Sequence, residues 1–141
     1  MKIVLATTLV LAQLGSGPPE GTKVTAKQLI EAPRLYVGQK IVLDGIGCVD
    51  PGKTGFVCTA VVSGQALKIE ASILGPKTAQ GIAERLIGEC KGTANLARPK
   101  CRVAIEIEPT SSHRDMMETE AGTMPISVVV SPRIEMFRSR G

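Results

Sequence analysis

Apolar residues fall at every second position in several separated stretches of this chain, and that period confines it to a fold built mostly of strands. The clearest case is Arg102-Val-Ala-Ile-Glu-Ile-Glu108, where Val103, Ile105 and Ile107 share one face with Cys101. Leu67, Ile69, Ala71 and Ile73 do the same over 66–74, opposite Lys68, Glu70 and Ser72. Phe56, Cys58, Ala60 and Val62 form the inward set of 56–63, and Ile41 with Leu43 opens a strand that runs into Gly45 and Gly47 and bends there. A fifth strand is expected over 125–137, interrupted at Pro132, because proline cannot donate to a sheet ladder. Between these, Asp50-Pro-Gly-Lys-Thr-Gly55 and Ser63-Gly64-Gln65 read as turns, and the polar stretch 109–124 reads as a loop.

Two segments break the pattern with a helical period. Thr25-Ala-Lys-Gln28 is a capping box, followed by Leu29, Ile30 and Ala32 before Pro33 stops a helix of about two turns. Ala79, Ile82, Ala83, Leu86 and Ile87 form an apolar stripe that predicts a helix over 78–88, and Cys90 continues the stripe.

With 141 residues there is room for one domain and one core. The chain has no Trp, one Tyr (Tyr36) and two Phe (Phe56 and Phe137), so its interior must be aliphatic. The formal charge of +4 is a mild excess, compatible with attraction to anionic polymers and short of a nucleic-acid signature. Lys2 followed by the apolar run Ile3 to Leu14 and the small residues Gly15 and Ser16 reads as a secretory signal peptide over 1–16, too short to span a bilayer. Residues 17–24 then read as a linker and 25–138 as the folded domain, with no transmembrane segment once the signal is removed; a first strand of the fold at the N-terminus is the alternative.

An even number of cysteines behind an export signal points to disulfides, and none of Cys48, Cys58, Cys90 and Cys101 forms a C-x-x-C pair. Four cysteines allow three pairings, which facing can rank. Cys90 ends the helix stripe and Cys101 starts a strand on its inward face, so these two pair. Cys58 faces inward, and Cys48 joins it if a bulge at Gly45 or Gly47 shifts the strand by one residue. Each bridge closes a short loop and stabilises by about 2 to 3 kcal/mol. Four buried free thiols in a reducing compartment are the alternative.

Three strands, a helix, then two strands is the order of the oligonucleotide/oligosaccharide-binding (OB) fold. The run Leu35-Tyr-Val-Gly-Gln-Lys-Ile-Val-Leu-Asp-Gly45, led by a short helix, resembles the opening of small exported bacterial OB-fold proteins and of tRNA-anticodon-domain-like relatives. The expected fold is therefore all-β with a minor α part: a five-stranded OB-like Greek-key barrel, with a helix between strands three and four and a short N-terminal helix. The resemblance carries an expected binding surface of Val57, Thr59, Val61, Lys68, Glu70 and Ser72, with loops around Lys53 and His113.

That surface offers no aromatic ring for base stacking and sets Lys68 beside Glu70, so nucleic-acid binding is disfavoured. Ser111-Ser-His-Arg-Asp-Met-Met-Glu118 is the densest group of functional side chains, with His113, Arg114 and Asp115 at its centre. Imidazole and thioether there suit copper, and His113 with Asp115 invites an acid–base reading, but one His in a polar loop defines neither. Gly47-Cys-Val-Asp-Pro-Gly-Lys-Thr54 matches a phosphate-loop pattern formally, yet a strand and not a helix follows it. Lys91, Arg98, Lys100, Arg102, Arg138 and Arg140 read as a solvated rim. The expectation is a periplasmic or secreted, non-enzymatic binding or accessory module without metal or cofactor. Its partner would be a protein, a small ligand or an anionic surface polymer. A small enzyme centred on His113 and a single-strand binder are the rivals.

Overall fold

The computed structural model describes residues 18–52 and 55–140, so the expected signal peptide and Lys53 lie outside the described residues. Seven strands form one sheet: β1 (Thr22–Lys23), β2 (Ile41–Val49), β3 (Phe56–Val62), β4 (Gln65–Leu74), β5 (Arg102–Ile107), β6 (Ser111–Thr119) and β7 (Gly122–Arg138). Five of them, in the order β2-β3-β4-β7-β5, close into a ring through a β2–β5 pairing. All ring pairings are antiparallel except β4 with β7. Helix α1 (Ala26–Glu31) precedes the ring and α2 (Ile82–Glu89) lies between β4 and β5. Among the described residues the chain is mostly β with a minor helical part, as expected, with two strands more than the five expected.

The first addition is β1, which pairs parallel with the start of β2 within the segment read as linker. The second corrects the reading of 109–124 as a loop: Ser111–Thr119 is a strand, paired residue for residue with β7 from Ser111↔Val130 to Thr119↔Gly122. It was invisible to periodicity because its side chains carry little apolar alternation; pairing with β7 holds it extended. Strand β7 is also longer than expected and continuous through Pro132. That proline lies between the last β6 partner, Val130, and the first β5 partner, Ile134, where neither ladder needs its missing N–H. The facing resets there: Ser127, Val129 and Ser131 are buried before it, Ile134 and Met136 after it. Ile73, opposite this step on β4, is consequently 59% exposed and not part of the inward face expected for it.

Isoleucine, leucine and valine fill the ring, as the scarcity of aromatics demands: Ile41, Leu43, Leu67, Ile69, Ile105, Ile107, Val129 and Ile134 are buried. Leu29 and Ile30 of α1 and Ile82 and Leu86 of α2 join the same interior. Thr25 caps α1 reciprocally with Gln28, as its sequence requires. Helix α2 starts at Ile82 and not at 78, because Gly81 takes a left-handed conformation (φ +85°); Ile87 is exposed. The pairing of β2 with β5 shifts register between Leu43 and Ile46, at Gly45 (φ +69°), and this bulge turns Cys48 inward. Cys48 is bonded to Cys58, its direct cross-strand partner, and Cys90 to Cys101, joining the end of α2 to the approach to β5.

Candidate functional site

Strands β3, β4, the first half of β7, and β6 form an open four-stranded face whose outward rows can be read from the register. One row is Thr59, Lys68, Val128 and His113; the next is Val57, Glu70, Val130 and Ser111; a third is Val61, Ala66, Ile126 and Asp115. Thr59, Lys68, Glu70, His113 and Asp115, drawn from two distant parts of the sequence, therefore stand on one surface. His113 is separated from Lys68 by one intervening strand, about 10 Å of backbone spacing. The remaining sequence candidate, Arg114, points to the other side of β6, where its guanidinium donates to the carbonyl of Ile30 in the last turn of α1 (3.4 Å). There it stabilises a helix C-terminus.

The two central charges of the face are partnered with each other. Lys68 Nζ lies 3.2 Å from the Glu70 carboxylate, so the pair presents almost no net charge to a ligand. An apolar patch crosses these rows: Ala66, Ile126 and Val128 are packed together and buried, with Met117 and Met124 half-buried against them and Val61, 64% exposed, beside Ala66. Sequence reasoning missed this patch, although Ile126-Ser-Val-Val-Val130 carries the signal, being apolar on both faces where a one-sided strand would alternate. Among the described residues no group of three or more His, Cys, Asp or Glu side chains is gathered as a metal site.

Two other features compete for attention. A cavity of about 890 Å³ lies over β2, β5 and the end of β7 and is lined by Val42, Ala104 and Phe137 with Lys23, Arg138 and Arg140 at its rim. Across it Asp44 accepts bonds from the Ser139 hydroxyl and the Arg140 N–H, tying down the C-terminal residues. Burial raises the Asp44 carboxyl, but those bonds, the Gly45 N–H and the Arg140 charge outweigh burial and hold it below the usual carboxylate range.

The second feature is a buried acid pair. Glu106 and Glu135 are cross-strand partners on β5 and β7, and Glu106 is 3% exposed. The backbone N–H groups of Glu20 and Gly21 donate to one oxygen of Glu106 (2.6 and 2.7 Å), and Lys77 Nζ reaches the other at 3.2 Å. The Lys77 backbone N–H donates to Glu135 at 2.7 Å. Burial pushes the Glu106 carboxyl up, and the Gly21 and Glu20 donors with Lys77 more than reverse it, leaving it below its ordinary value. One oxygen of Glu106 thus fastens the N-terminal segment to the ring, and the other holds Lys77 of the segment between β4 and α2. No local sequence signal marks this role, since alternation alone puts Glu106 on a solvent face.

No protein-family model and no curated protein matches the chain. Among solved structures it is similar to a protein described as an aspartyl-tRNA synthetase from Leishmania major Friedlin, with 8% identity and a TM-score of 0.40. The match covers 99% of this chain and 26% of that one, so the chain spans about a quarter of that protein's length.

Proposed function

We propose that this protein is an exported, non-enzymatic binding module of the OB type, which engages a protein partner through the outward face of β3, β4, β7 and β6. The ring order β2-β3-β4-β7-β5, the parallel β4–β7 pairing and the helix between β4 and β5 support the OB assignment. The two disulfides support a compartment where thiols are oxidised, periplasmic or extracellular.

The observation that carries the binding reading is the exposed Val61 with the half-buried Met117 and Met124, laid around the buried Ala66, Ile126 and Val128, beside a self-neutralised Lys68–Glu70 pair. Aliphatic and thioether side chains with few free charges suit a protein surface, where dispersion and desolvation supply affinity. They suit a phosphate backbone poorly, because the one lysine in the central row is already paired with a carboxylate. His113 and Asp115 form part of the polar border of this patch.

Site-specific photo-crosslinking in the native host tests the reading. A crosslinker at Val61 or Met117 should capture one discrete protein, and one at Ile87, exposed on α2, should not. Equal labelling from all three positions, or none, would remove the proposal. A His113→Ala variant that lost a measurable hydrolytic activity would favour the enzymatic rival instead.

A further inference from the structure

Among the described residues no strand occupies the outer long edge of β6. Among the described residues its nine positions pair only with β7, so one row of backbone donors and acceptors is left open. Which residues own that row follows from Pro125. Met116 is the partner of Pro125, which has no N–H, so this pair is of the non-hydrogen-bonded kind. Met116 therefore directs its N–H and carbonyl away from β7, and by alternation so do Ser112, Arg114 and Glu118. The Met116 N–H is indeed taken by the carboxylate of its neighbour Asp115, at 2.8 Å. Met116 itself is 59% exposed, and Leu35, 66% exposed, lines the cleft beside Ser112 and Arg114.

We propose that β6 pairs edge to edge, antiparallel, with β6 of a second copy of this chain, centred on Met116. Two-fold symmetry requires that residues facing each other have the same parity, and the charges then choose among the registers. Centring on Arg114 opposes two arginines, and centring on Asp115 opposes two carboxylates. Centring on Met117 sets Met116 against Glu118 and puts Arg114 against Glu120, which lies in the hairpin turn and cannot continue the ladder. Centring on Met116 places Arg114 of each copy opposite Glu118 of the other, twice, and lays the two exposed methionines together. In this as in every same-parity register Arg114, Met116 and Glu118 are hydrogen-bonded positions, being residues whose backbone groups point outward. The carboxylate of Asp115 yields the Met116 N–H to the other copy's Met116 carbonyl, so no donor is lost. The result continues the four-stranded face of one copy into that of the other. This inference does not rest on the proposed use of the outward face.

Sedimentation velocity on the purified, disulfide-bonded protein over a concentration series tests it. A reversible dimer is expected. Arg114→Glu and Glu118→Arg should each raise its dissociation constant about tenfold, and the double exchange should restore it. Val61→Arg, on the outward face, should leave the dimer unchanged, so failure here and failure of the binding reading are separable. A monomer at every concentration, a dimer indifferent to both reversals, or a double variant no better than the singles would overturn the proposal. Should Arg114→Glu unfold the chain through its contact with Ile30, Met116→Cys replaces it. Paired centrally, with Cα atoms about 5.5 Å apart, two copies should form an inter-chain disulfide that Ile87→Cys does not. No such bridge would equally overturn it.

Discussion

Glu106 shows how much one side chain can organise. Its two oxygens hold the backbone of Glu20 and Gly21 and the ammonium of Lys77, so Glu106→Ala strands three donors at once. The expected loss is about 2 to 3 kcal/mol in denaturant unfolding, since hydrogen bonds to a charged group are the stronger kind. Because the carboxyl titrates below its ordinary value when folded, its contribution is complete above about pH 4.5 and disappears as pH falls through the lowered folded value. Melts between pH 7 and 3 should show that acid-side loss in the native chain and a smaller one in Glu106→Gln. Gly47 makes a different demand. A Cβ there would run into the backbone carbonyl of Leu96, so Gly47→Ala should cost about 1 to 3 kcal/mol by forcing β2 and the 92–96 segment apart. A thermal melt checks it.

At the scale of elements, β6 pairs through its backbone on one edge alone among the described residues, and amide exchange should reveal that. Below the concentration at which copies associate, His113, Asp115 and Met117 should exchange slowly and Ser112, Arg114 and Glu118 quickly, an alternation within one strand. Uniform protection in the dilute protein would contradict the assigned edge. Thr25→Ala should cost about 1 kcal/mol by removing the reciprocal cap on α1. The two strands that escaped sequence reasoning share a cause. Thr22–Lys23 and Ser111–Thr119 do not sink one apolar face into the ring interior, so they lack the alternation that announces a strand. Strands β3, β4 and β5, whose inward residues alternate, were legible to within a residue, whereas β7 starts three residues earlier than its apolar pattern announces. Pro132 misled because a proline was read as an interruption, although a strand that changes partners there tolerates one.

At the scale of the molecule, the disulfides close the account of facing. Cys48 and Cys58 are paired as ranked because the Gly45 bulge turned Cys48 inward, and Cys90 and Cys101 because helix stripe and strand alternation both aimed at the core. Replacing either pair by alanine should lower stability by about 2 to 3 kcal/mol, read by denaturant titration, with loops of 10 and 11 residues contributing similarly. The candidate face was only half legible. Thr59, Lys68 and Glu70 follow from strand alternation, whereas their junction with His113 and Asp115 depends on β7 lying between two strands remote in sequence. Nothing local in the chain encodes that juxtaposition.

The seventeen residues of β7 are one unbroken beam, its far half built into the ring and its near half carrying the hairpin. Strand β4 pairs with both halves, from Ile126 to Ile134, and so splints the step at Pro132. Whatever docks on the hairpin meets a stiff platform and forfeits little freedom of the protein in doing so, which favours tight association from a modest footprint.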